Sequence, residues 1–266
     1  MSKCGDADVE QVWWHIAAGA CWFFFNPLNK RFDENIKSIR SWDFNKEVWQ
    51  FPVIIDNMMN LELLFEATKI SGDSSFHKLA VTHTNTTLKH HFRPDNSCYH
   101  VVDYDTLTYQ PRMKVTHQGI NDESSWTRGH GWGIYGYTLA YRYTKDTRYL
   151  NRAIATAEYF LNHKNLPKDG IPYWDFDDPA IPNAPRDVSA GTIVAAAMVE
   201  IYRYTQEAGG SHHLNRLAGE AGGFLLRRRH QPDRGPLRVL VRVERARALV
   251  RDGAFPPGVA VDVRAQ

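Results

Sequence analysis

This sequence has little of what marks a metal, nucleotide, nucleic-acid or membrane protein. Only three cysteines occur in 266 residues: Cys4, Cys21 and Cys98. Their odd number and their spacing argue against a disulfide framework and a thiolate metal site, and favour a reducing, cytoplasmic compartment. Net charge is small, +2 at neutral pH, so no nucleic-acid partner is expected. The apolar run "IAAGACWFFF" is too short to span a bilayer and ends at Asn26-Pro27. The start of the chain lacks the basic segment of a secretory signal, so neither a leader nor a membrane helix is expected. There is no phosphate loop and no serine-hydrolase elbow. "YWDFDDP" gathers Asp175, Asp177 and Asp178 but lacks the glycine and terminal glutamate of a calcium loop, so no metal is expected there.

Aromatics, by contrast, are plentiful, with eight tryptophans. Most aromatics serve cores, but such wealth also suits a flat or cyclic ligand. Charge is unevenly spread. Residues 227–266 hold ten arginines against four acidic residues and no Lys, Tyr or Trp. That stretch reads as a basic tail or as rewritten sequence, and it divides the chain into an atypical segment 1–28, a main domain 29–226 and an Arg-rich tail 227–266.

The main domain repeats. "LLFEATKISGDSSFHKLAVTHTNTTLKHHFRPD" aligns with "GYTLAYRYTKDTRYLNRAIATAEYFLNHKNLPKD", so that Asp73 falls on Asp146, Phe76 on Tyr149, Ala80 on Ala153 and Leu88 on Leu161. "TIVAAAMVEIYRYT" followed by "HLNRLAGEAGGFLL" forms a third copy. Each unit is a helix, a short turn, a second helix and a long loop. The first helix of each pair is apolar on more than one side and the second is amphipathic, which predicts inner helices covered by outer ones. Such alternation can close into an α/α toroid. The loops "SCYHVVDYDTLTY" and "IPYWDFDDPAIP" read as short strands or ordered rim loops. A six-hairpin toroid at roughly 60 residues per repeat takes about 360 residues. The chain has room for about four repeats, so the toroid is expected to be incomplete.

Chemistry-bearing residues gather where the inner helices begin. Asp56 follows the apolar "VII", which predicts an N-cap, a partly desolvated carboxylic acid able to hold a proton near neutral pH, or both. The block "WTRGHGWGIYG" opens the next inner helix with glycines and large rings. Asp122, Ser124 and Ser125 offer capping groups. Arg128 and Trp132 share one helical face, and Trp126 and His130 another. Bare backbone at the glycines admits a ligand or a neighbouring helix. Arg128, in the first turn, suits a carboxylate. His100, His117 and Gln118 lie in loops between inner helices. Trp42 and Trp49 are either sugar platforms or core residues.

Taken together, "RSWDF", "IIDNMMNLELLFEATKISGD", "YHVVDYD", "THQGINDESSWTRGHGWGIYG" and "YWDFDDP…PRDVSA" resemble the unsaturated glucuronyl hydrolases, glycoside hydrolase family 88, from about Asn29 to Leu226. The related unsaturated rhamnogalacturonyl hydrolases share part of the pattern, but "HVVDYD" and "HQG" favour the glucuronyl side. The resemblance implies an all-α (α/α)6 barrel, no cofactor, and hydration of the C4=C5 double bond of a 4,5-unsaturated uronic acid at the end of a lyase-made oligosaccharide. Asp56 matches the acid/base aspartate. His100, Gln118, Arg128 and Trp132 match residues around the sugar. Trp42 and Trp126 would supply stacking surface. His130 stands where the family carries Gln and would act as a substitute hydrogen-bonding residue. The family's His-Asp dipeptide is absent from this chain. A non-catalytic sugar-binding remnant is therefore the competing expectation.

Overall fold

A computed structural model describes residues 30–207. The atypical segment 1–28, the Arg-rich tail, the second helix of the third repeat, and Cys4 and Cys21 lie outside the described residues. Among the described residues, five helices carry the fold: α1 (Asn57–Ser71), α2 (Ser74–His90), α3 (Thr127–Thr144), α4 (Thr147–Leu161) and α5 (Val188–Glu207). Among the described residues, no helix is long and apolar enough to cross a membrane.

The repeat is visible in the caps. Asp73 and Asp146 stand at equivalent positions before α2 and α4, and each carboxylate accepts a backbone N–H two residues on, from Ser75 at 2.8 Å and Arg148 at 2.9 Å. Such a cap satisfies a donor that the first helical turn leaves free. The aligned Ala80 and Ala153 are both fully buried. Their small side chains let α2 and α4 lie close on the inner helices.

α3 is the central inner helix, packed against α1 on one side and α5 on the other. Its approach to α1 is close. A Cβ built on Gly136 would lie 2.3 Å from Met58 Cβ and 3.2 Å from the Met58 carbonyl carbon. A second tie joins the same three helices. Arg142 on α3 donates to Glu62 on α1 at 2.5 Å and bidentately to Glu200 on α5 at 2.6 Å. Tyr135 and Tyr204 complete the carboxylates with their hydroxyls. Both oxygens of Glu200 are thereby engaged, as a largely buried charge requires.

Among the described residues, five short strands sit beside the helices. β1 (Phe32–Asp33) and β2 (Ser38–Ile39) pair antiparallel. β3 (Pro52–Ile54), β4 (Val101–Tyr104) and β5 (Pro111–Val115) form an antiparallel sheet in that order. The loop "SCYHVVDYDTLTY" thus contains a strand, while "IPYWDFDDPAIP" forms isolated bridges only. Two buried histidines attach α2 to the strands. His83 Nδ1 accepts from Ser38 Oγ and from the Ile39 N–H, and His91 Nε2 donates to the Val53 carbonyl at 3.0 Å.

Candidate active site

The three-stranded sheet brings the reactive groups together. Ile54 pairs with Val101 and Val101 with Val115. One step past this row come Ile55 after β3, His100 before β4 and Thr116 after β5, and Asp56 follows Ile55 directly. The Ile55 N–H donates to the His100 carbonyl at 3.0 Å, extending the ladder by one bond. Asp56 and His100 are therefore neighbours through backbone register, although 44 residues separate them.

Asp56 occupies the N-cap position of α1, but its side chain makes no capping bond. Its carboxylate is 14% exposed, and Oδ2 has no hydrogen-bond partner. Burial pushes its pKa up to about 6, opposed by its own backbone N–H and by the charge of Arg128. A carboxyl group in that range can hold a proton and release it near neutral pH. His100 Nε2 lies 3.7 Å from Asp56 Oδ2 and also lacks a partner. Burial first, then the nearby His117 and His91, push the imidazole down to about 3, so it is neutral.

Arg128 stands in the first turn of α3, with 43% of its side chain exposed. It is not a free cation. Its Nε donates to Asp187 Oδ2 at 2.9 Å, and Nη2 forms an ion pair with the same oxygen, also at 2.9 Å. Asp187 Oδ1 meanwhile caps α5, accepting from the Ala190 N–H and the Ser189 hydroxyl. Burial pushes the Asp187 carboxyl up, and these bonds more than offset it, so it stays below the usual carboxylate range. Asp187 thus orients the guanidinium toward the rim, and sequence reasoning missed it. The Asp before a helical run in "RDVSAG" was the available signal.

Several expectations need correction. α3 begins at Thr127 after Trp126, and none of Asp122, Ser124 or Ser125 caps it. Instead, Asp122 accepts the Thr116 N–H, Ser124 bonds Asp175, and Ser125 Oγ pairs with Tyr159. His130 does not face a sugar. It is fully buried, its Nδ1 donates to the Trp126 carbonyl at 2.9 Å and its Nε2 accepts the Cys98 N–H at 3.1 Å. With both ring nitrogens used internally, it braces the helix start. Trp126 is likewise a wall and not a platform. Its ring is 5% exposed, 4.4 Å from the His100 ring, and over Gly129, where an added Cβ would lie 2.7 Å from it. The glycines of "WTRGHGWGIYG" thus admit protein neighbours. Asp175, from "YWDFDDP", is fully buried with both oxygens hydrogen-bonded. Among the described residues, no group of three or more His, Cys, Asp or Glu is placed to hold a metal.

The remaining candidates stay at the rim. Trp42 is half-buried, stacked on Phe44 at 5.6 Å and set against Trp49 and His117. Gln118 is exposed beside His117. Trp132, one turn beyond Arg128, is half-buried against Tyr135.

No family model matches the chain. An unsaturated glucuronyl hydrolase of Formosa agariphila is 62% identical over 178 residues, which is 67% of this chain and 44% of the relative. The chain is a relative of the unsaturated glucuronyl hydrolases. An unsaturated chondroitin disaccharide hydrolase of Streptococcus agalactiae is 36% identical over 182 residues, 68% of this chain and 45% of its own length. A solved unsaturated glucuronyl hydrolase specific for heparin superposes with a TM-score of 0.67 and 41% identity, over 73% of this chain and 52% of that one. The chain spans about half the length of the curated unsaturated glucuronyl hydrolases it matches. Its helix pairs superpose on part of the (α/α)6 barrel that these hydrolases have.

Proposed function

We propose that this chain carries the acid/base half of an unsaturated glucuronyl hydrolase site. The substrate is an oligosaccharide, made by a polysaccharide lyase, that ends in a 4,5-unsaturated uronic acid. The observation that carries the reading is Asp56: a buried carboxyl held near pH 6, facing an imidazole, with Arg128 acting on it across the rim.

Asp56 delivers its proton to C4. The C4=C5 π pair forms the new C–H bond, and positive charge develops at C5, shared with the ring oxygen. Water adds its oxygen to C5 and returns a proton to the Asp56 carboxylate. The resulting hemiketal opens and releases the neighbouring sugar. This differs from displacement between two carboxylates at the anomeric carbon. Arg128, already aimed by Asp187, offers its exposed side to the sugar carboxylate. Trp42, Gln118 and Trp132 line the approach. We assign the domain to residues 29–226. A cytoplasmic setting agrees with the free thiol of Cys98.

The test is loss of the vinyl-ether ultraviolet absorbance of unsaturated chondroitin, hyaluronan or heparin disaccharides. Loss with the parent and none with Asp56→Asn is expected. Equal loss with both proteins would remove Asp56 from the role. No turnover, with disaccharide binding retained in folded parent, would leave a sugar-binding module.

A further inference from the structure

Resting on that reading, the neighbourhood of Asp56 shows how its imidazole partner is held. His100 Nδ1 receives the backbone N–H of His117 at 3.1 Å and that of Gln118 at 3.2 Å, with the Thr116 hydroxyl 3.5 Å away. A nitrogen that faces converging N–H donors has to present its lone pair. In a neutral imidazole the proton then sits on the other nitrogen. That nitrogen, Nε2, is the one facing Asp56 Oδ2.

The donors keep their places because the loop that carries them is pinned at both ends. Thr116 continues directly from β5, and its N–H donates to Asp122 at 2.9 Å. The Gly119 N–H donates to Thr116 Oγ1 at 2.7 Å. The far side is fastened to one buried carboxylate. Asp175 Oδ2 accepts the Ile120 N–H at 3.0 Å and the Ser124 hydroxyl at 2.7 Å, while Oδ1 accepts the Asp177 N–H at 3.0 Å. The segment around Asp175 also runs antiparallel to the residues that open α3: Phe176 N–H donates to Ser125 and Thr127 N–H to Trp174.

We infer that Asp175 is a positioning residue: through the loop 116–124 it sets the His117 and Gln118 donors against His100 Nδ1, and so fixes the His100 proton on Nε2, facing Asp56. The consequence is chemical. When Asp56 gives up its proton it becomes a buried anion, and a fixed N–H donor already points at it. Such a donor stabilises charge that develops during the reaction without having to reorient. The opposite tautomer would present a lone pair to the new carboxylate.

The test reads the ring directly, without substrate, on the full 15N-labelled chain. Long-range proton–nitrogen correlation separates protonated from unprotonated imidazole nitrogens, and His100→Gln identifies the His100 signals. The unliganded parent is expected to show one tautomer, protonated at Nε2. Protonation at Nδ1, or an averaged mixture, would overturn the inference. In Asp175→Asn the tautomers are expected to average, and kcat for disaccharide hydration to drop at least about tenfold with KM within about twofold. A parent-like tautomer in this variant would also overturn it. If Asp175→Asn does not melt cooperatively, Ser124→Ala is read in its place with the same two outcomes. A parent that hydrates no disaccharide but shows the expected ring signals counts against the proposed reaction alone.

Discussion

Replacing Asp56 by asparagine should abolish hydration and at the same time make the protein more stable at neutral pH. The parent carboxylate is nearly enclosed, one of its oxygens has no hydrogen-bond partner, and burial raises its pKa from 3.8 to about 6. The direction of the linkage follows from proton uptake. Between pH 6 and 3.8 the folded state binds the proton more readily than the unfolded chain does, so folding is relatively favoured at low pH. That advantage is lost as pH rises through 6. Above it, a shift of about two units amounts to roughly 3 kcal/mol of destabilisation. The asparagine amide carries no charge, but leaving it without a partner costs about 1 kcal/mol or more. The expected net gain at pH 7.5 is about 1–2 kcal/mol, a rise in Tm of roughly 2–8 °C for a domain of this size. Near pH 4 the folded parent is protonated and most of its penalty is gone, so the cost of the unpartnered amide remains and the variant should be no more stable than the parent. Paired thermal melts of parent and Asp56→Asn at pH 7.5 and pH 4 measure both. A variant less stable than the parent at pH 7.5, or a difference that does not change with pH, would refute the picture of a desolvated, unpaired acid.

Four further outcomes are expected. Gly136→Ala forces a methyl group to within 2.3 Å of Met58 Cβ, and overpacking of this kind lowers stability by about 1–3 kcal/mol; an unchanged denaturation midpoint would show that α1 moves freely. His83 and His91 are each pushed down to about 3, by burial first, so the unfolded chain binds more protons below pH 6.5. Stability should therefore fall with acidification by about 1.4 kcal/mol per pH unit for each histidine, and equal urea midpoints at pH 7 and pH 5 would contradict this. The rate of hydration should decline as pH rises above about 6, because Asp56 acts in its protonated form; a rate that climbs steadily to pH 8 would point to another acid. Arg128→Lys should raise KM by about tenfold or more, because an ammonium cannot reproduce the fork that Asp187 orients, and an unchanged KM would separate Arg128 from the substrate carboxylate.

What could be read in the sequence was mostly local. Asp73 and Asp146 cap helices two residues away, and Ala80 and Ala153 recur in step with them, so both hairpins could be aligned by eye. Asp56 was legible for a similar reason: an apolar run next to a helix start already describes a carboxylate with little water around it. The partners that organise the site were not. Arg128 meets Asp187 across 59 residues, Ser124 meets Asp175 across 51, and Arg142 meets Glu200 across 58. These pairs depend on how inner helices and rim loops pack, which spacing along the chain does not encode. His130 and Trp126 misled for the opposite reason. Polar and aromatic residues at the start of a helix are also what a tightly packed interior uses, and only burial separates the two uses.

The sheet that joins Asp56 to His100 also limits how this site can change over evolution. Backbone register sets the spacing between the two groups, and register moves only in whole residues, about 3.3 Å at a time with each side chain turned to the opposite face. A single insertion inside β3 or β4 therefore cannot nudge the acid by a fraction of an ångström; it discards the arrangement. The turn between β4 and β5, where Leu107 is 85% exposed, carries no such restriction. Lineages are free to lengthen and decorate that turn, and an engineer can place a label there, while the few residues before and after it tolerate substitution but not a change in number.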